Sequence, residues 1–97
     1  MSKAHRIRLG PPWEVAEETD GRMRHVRRFG RPRTVDAGER VRLVAEVLAD
    51  AEVRLNGATI ALPADVTEQL QLRNELVVIA AAAPKDVALE IVTTTSA

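Results

Sequence analysis

Residues 51–80 read AEVRLNGATIALPADVTEQLQLRNELVVIA, and their interpretation decides the fold. Val53 and Leu55 alternate with Glu52 and Arg54 up to Asn56-Gly57, the period of two of a half-buried strand. Asn and Gly both tolerate positive φ, so this dipeptide predicts a two-residue type I′ hairpin turn, with residues 58–62 as the returning arm. Asp65-Val66-Thr67-Glu68 has the form of a capping box. In that form Asp65 accepts from the backbone N–H of Glu68, Glu68 reaches back, and one short helical turn follows over residues 66–70. Residues 74–80 are strongly apolar after Asn74 and Glu75, as expected for a strand covered on both faces.

Working outward, Val41, Leu43, Ala45 and Val47 alternate with Arg40, Arg42, Val44 and Glu46, the cleanest strand pattern in the chain. A helix is the competing reading, because Val41, Val44, Ala45 and Leu48 also suit a 3.6 period. The valine content favours a pleated surface, and Asp50 stands where a turn would separate one strand from the next. Toward the C-terminus, Pro84 marks a loop. Val87, Leu89 and Ile91 then share one side of a last strand over residues 87–92, followed by a polar tail over residues 93–97 that is expected to fray.

Toward the N-terminus, residues 5–15 alternate but are interrupted by Pro11-Pro12, which predicts an edge, a bulge or a kink between two short strand pieces. Trp13 reads as a core residue closing the sandwich, or alternatively as a solvent-facing ligand platform. Asp20-Gly21 predicts a tight turn into a second strand within residues 21–32, ended by Gly30 and Pro32, where imperfect alternation suggests a bulge near residues 25–27. Residues 34–39 read as a connecting loop.

Composition bounds the function. Ninety-seven residues suffice for one domain, residues 1–97, with a core that must be aliphatic because Trp13 and Phe29 are the only aromatic residues. The absence of Cys removes disulfides, thiolate metal sites and cysteine nucleophiles. Serines occur only at positions 2 and 96, and His5 and His25 are the only imidazoles, so no catalytic triad or metal set is expected, and no cofactor. No apolar run approaches the about 20 residues of a membrane span, and a cytoplasmic setting is the expectation. The zero net charge hides an asymmetry: residues 1–42 hold eleven Lys or Arg against six Asp or Glu, and residues 43–97 hold three against eight. Such halves are expected to neutralise one another on facing or adjacent strands.

Taken together, Asn56-Gly57 after an alternating strand, then Asp65-Val66-Thr67, then Leu72-Arg73-Asn74-Glu75-Leu76-Val77-Val78, resemble a known pattern, LNG, DVT, L-x-x-G-N-x-L-x-V. It marks the sugar-binding jelly-roll domain of family 2 glycoside hydrolases, the β-galactosidase and β-glucuronidase group, within the galactose-binding-like β-sandwiches. Arg27-Arg28-Phe29 is similar to that family's W-x-R-R-x-F strand, and Arg73 stands at its glycine position. The resemblance spans roughly residues 21–78. It implies an all-β, small antiparallel sandwich of jelly-roll, galactose-binding-like type, and a non-catalytic module with carbohydrate as ligand. Trp13, Arg27 and Arg28 are the candidate ligand-binding residues. A protein partner, or a second copy joined through edge strands, is an alternative. A further alternative is nucleic-acid binding through Arg22, Arg24, Arg31 and Arg33 beside Arg27 and Arg28, since arginine makes bidentate phosphate contacts.

Overall fold

A computed structural model describes residues 5–18, 20–32 and 38–93 of the chain. Among the described residues nine strands make two antiparallel sheets, and one short helical turn joins them. In chain order the strands are β1 (His5–Arg8), β2 (Glu14–Glu17), β3 (Met23–Gly30), β4 (Glu39–Glu46), β5 (Glu52–Leu55), β6 (Ala58–Ile60), β7 (Ala64–Asp65), β8 (Arg73–Ala80) and β9 (Lys85–Thr93). A 3₁₀ turn, Thr67–Gln69, precedes β8. One sheet has the order β1-β9-β4-β7, the other β2-β3-β8-β5-β6. No helix among the described residues is long and apolar enough to cross a membrane.

The strands follow from the period of two. Val41 and Leu43 of β4 and Val87, Leu89 and Ile91 of β9 send their side chains inward from the four-stranded sheet. Val53 and Leu55 of β5 and Leu76, Val78 and Ala80 of β8 meet them from the five-stranded sheet. Val66 and Leu70, on either side of the 3₁₀ turn, belong to the same aliphatic cluster. The alternation that begins at Val41 is thus a strand, up to Glu46, and not a helix: Val41 and Leu43 are fully buried, and Arg42 between them is exposed.

β8 is the centre of its sheet, between β3 and β5. Its outward residues Val77 and Ile79 are buried although they lie outside the core cluster. Their cross-strand neighbours are Val26, Arg24, Arg54 and Glu52, whose methyl groups and aliphatic stems provide the cover. The expectation of a strand covered on both faces holds, with flanking side chains as the second cover.

Pro11-Pro12 divides the alternating N-terminal stretch into β1 and β2, which edge opposite sheets. The bulge predicted near residues 25–27 does not occur: β3 pairs with β8 in unbroken register from Met23↔Ala80 to Gly30↔Arg73. The pattern is imperfect because two polar residues, His25 and Arg27, share the inward parity of Met23 and Phe29. His25 is buried and its Nδ1 bonds the Val78 carbonyl at 3.1 Å. The register shift lies instead in β4 against β9, between Val44 and Glu46. β4 begins at Glu39, a residue whose sequence pattern places it in the preceding loop, and β9 ends at Thr93, opposite Glu39. Residues 94–97 of the predicted tail lie outside the described residues.

Candidate functional site

The motif residues that suggest a binding fold are mostly engaged in building it. Asn56 (φ 52°) and Gly57 (φ 86°) form the expected positive-φ turn between β5 and β6. Asn56 also accepts the Glu75 N–H at 2.9 Å, and its Nδ2 donates to the Gln69 carbonyl and to Asn74 Oδ1, each at 3.0 Å. Asn74 is buried. Its Oδ1 also accepts the Gln71 N–H at 2.8 Å, and its Nδ2 donates back to the Gln71 carbonyl at 2.9 Å. The two asparagines therefore staple the hairpin turn to the start of β8.

The Asp-Val-Thr segment departs from the capping box. Asp65 Oδ1 accepts the backbone N–H of Thr67 at 3.0 Å and its hydroxyl at 2.7 Å, which is an Asx turn. Thr67 Oγ1 in turn accepts the Val41 N–H at 2.8 Å, tying this corner to β4. Glu68 does not reach back; it takes both ends of the Arg40 guanidinium at 2.8 and 2.9 Å, while Arg40 Nε donates to Asp65 Oδ2 at 2.8 Å. The cation offers a better partner than a neutral N–H. Hydrogen bonds from Arg40 and Thr67 hold the Asp65 carboxyl down at about 2, and Arg40 lowers Glu68 as well.

The charge asymmetry resolves largely into ion pairs between the halves: Arg28 with Glu75, Arg40 with Asp65 and Glu68, Arg42 with Glu90, and Arg6 and Arg8 with Glu90 and Asp86. The arginine-rich strand is consequently divided. Arg22 pairs with Asp20 at 2.7 Å, and Arg28 bridges Glu14 and Glu75 at 2.9 and 3.2 Å. Arg27 Nε donates to the Gly10 carbonyl at 2.7 Å and Nη1 to the Arg28 carbonyl. Arg24 and Arg31 are exposed, and no described carboxylate pairs with either. Arg33 lies outside the described residues.

His5 and His25, which would flank one another if the first two strands paired, are in different sheets. Among the described residues no cluster of His, Asp or Glu is arranged to hold a metal ion.

Two hollows remain. Trp13 is half-buried, packed on the core cluster, and its open side lines a hollow of about 340 Å³ with Arg8, Pro11, Pro84, Lys85 and Asp86. Arg27 and Arg28 are not among its lining residues, so the three candidate ligand-binding residues do not converge on one hollow. Arg28 instead lines a larger one, about 630 Å³, with Phe29, Gly30, Leu72, Arg73 and Asn74 where β3 ends and β8 begins. The polar neighbours of Trp13 are illegible in sequence because Arg8 and Asp86 meet only through the β1–β9 pairing.

No family model matches the chain. No curated protein and no solved structure matches it either.

Proposed function

We propose that the chain is a non-catalytic binding module of galactose-binding-like jelly-roll type, with carbohydrate as ligand class. The strand order supports the fold component of this reading. With β2 set aside, β1-β9-β4-β7 and β3-β8-β5-β6 place every pair of chain neighbours except the β5–β6 hairpin in opposite sheets, the interleaving expected of a double Greek key.

One observation carries the ligand class: the only tryptophan lies half-buried on the wall of an open hollow, beside Arg8, Lys85 and Asp86. An indole face can stack on the apolar face of a pyranose, and charged groups around it can bracket the hydroxyls. Arg8 and Asp86 approach only to 4.0 Å, a loose pair with hydrogen-bonding capacity to spare. The nucleic-acid alternative has weaker support, since Arg22 and Arg28 are engaged by carboxylates and Phe29 is the only aromatic residue in that strand.

The test is Trp13 emission titrated with mono- and oligosaccharides, in the native chain and in Asp86→Asn, which tolerates the positive φ of residue 86. A saturating shift with one sugar, weakened in Asp86→Asn, is the expected result. Emission indifferent to every sugar overturns the reading.

A further inference from the structure

The larger hollow is distinct from the Trp13 hollow and adjoins an unfinished sheet edge. β2 covers β3 only over Met23 to Val26; it begins at Glu14, opposite Val26. Over residues 27–30, β3 has β8 on one side and, among the described residues, no strand on the other. Consecutive strand residues send their backbone groups to opposite edges. The Arg31 N–H bonds the Leu72 carbonyl at 3.1 Å on the β8 side, so Arg28 and Gly30 face the open edge. Arg27 has curled along that edge to serve the Arg28 carbonyl, as a strand N–H would.

The side chains around this edge are unusual for a solvated face. Leu72 is 85% exposed and lines the hollow with half-buried Phe29. Arg73, also on its wall, and the adjacent Arg31 pair with no described carboxylate, whereas Glu75 is held by Arg28. A Cβ built on Gly30 meets only the Leu72 carbonyl at 3.8 Å, so a neighbouring chain can approach the backbone there.

We infer that this end of the five-stranded sheet is a docking edge for an extended acidic segment of a protein partner. The segment adds as a strand along residues 28–30, in line with β2, lays an apolar side chain against Phe29 and Leu72, and sets a carboxylate on Arg73. Backbone bonds to an open edge supply affinity in this mode, and the flanking side chains supply selectivity. The acidic chemistry follows from the two guanidinium groups without carboxylates. A polynucleotide is disfavoured because the neighbouring Arg22 and Arg28 are engaged by carboxylates.

The experiment is ¹⁵N nuclear magnetic resonance of the full chain with a terminally blocked octapeptide of alternating Glu and Val. Its Lys and Val counterpart and oligothymidylate serve as comparators. The expected result is shift changes and slowed exchange at the Arg28 and Gly30 amides with the Glu peptide alone. Gly30→Pro removes an open-edge donor without touching the β8 side, and Arg73→Glu reverses an exposed charge. Each is expected to weaken the Glu peptide about tenfold, with the β3–β8 amide pattern intact. No response to the Glu peptide, an equal response to the Lys peptide, tighter binding of oligothymidylate, or self-association that protects the same amides overturns the proposal.

Discussion

Replacing Asn74 by Ala tests the asparagine staple directly. The side chain is buried and makes three hydrogen bonds of 3.0 Å or shorter, to the Gln71 N–H, the Gln71 carbonyl and Asn56 Nδ2. At about 1 kcal/mol net for each bond, the loss is about 3 kcal/mol. The Gln71 backbone groups left without these partners push that figure up, and relaxation of the exposed residues around them pulls it down. Total stability for a domain of this size is about 5–15 kcal/mol, so the variant loses a large fraction of it. The midpoint of thermal unfolding is expected to fall by about 12–24 °C. Urea unfolding followed by Trp13 fluorescence and by circular dichroism measures the change, with unchanged slope as the control for compactness. Combining Asn74→Ala with Asn56→Ala isolates the bond between them, and the double variant is expected to lose about 1 kcal/mol less than the sum of the singles. An Asn74→Ala loss within about 0.5 kcal/mol, the range of ordinary surface changes, would mean that the staple adds nothing to stability.

The Arg40 clamp predicts an acid-labile contribution. The Asp65 carboxyl lies below its ordinary 3.8, at about 2, so the stability it adds is fully present above pH 4 and lost as pH falls through about 2. In Arg40→Met this portion of the acid limb flattens, a modest effect for exposed groups, read from urea midpoints at stepped pH. Leu43→Ala, at a fully buried position of β4, is expected to cost about 2–5 kcal/mol, whereas Val15→Ala, 53% exposed on β2, stays within about 0.5 kcal/mol in the same urea assay. Gly57→Ala forces a Cβ into φ 86° and is expected to cost about 1–2 kcal/mol, with no loss at a neighbouring exposed position such as Thr59→Ala by differential scanning calorimetry.

The strands with a clean period are legible in sequence, and so is the Asn-Gly turn, because both depend on local chemistry. Residues 41–47 and 87–92 alternate aliphatic and polar side chains, and a sandwich must bury the first set. Sequence and structure diverge where a polar side chain finds a distant partner. His25 faces inward because the Val78 carbonyl, far along the chain, bonds its ring, and the local pattern then mimics a bulge. Glu68 abandons the capping box because Arg40 arrives from β4. β7 is invisible to pattern because its residues, Ala64 and Asp65, are too few to carry a period; pairing with Leu43 and Arg42 alone makes them a strand. The candidate site is the least legible region. Trp13 stands out in sequence as the only tryptophan, but its charged neighbours come from β1 and β9, and Leu72 and Arg73 line a hollow beside an edge left open because β2 is short.

Both sheets are centred on strands from the end of the chain. β8 joins the β2–β3 hairpin to the β5–β6 hairpin, and β9 joins β1 to β4. A nascent chain stopped before Arg73 holds only those hairpins and the short β4–β7 pairing, with the apolar sides of Val41, Leu43, Val53 and Leu55 open to solvent. Pairings such as His5 with Ile91 and Met23 with Ala80 span most of the sequence, the condition for slow closure on the scale of milliseconds to seconds. During translation the chain therefore cannot complete either sheet in stages: while the ribosomal tunnel still shelters β8 and β9, the earlier strands have no scaffold to join.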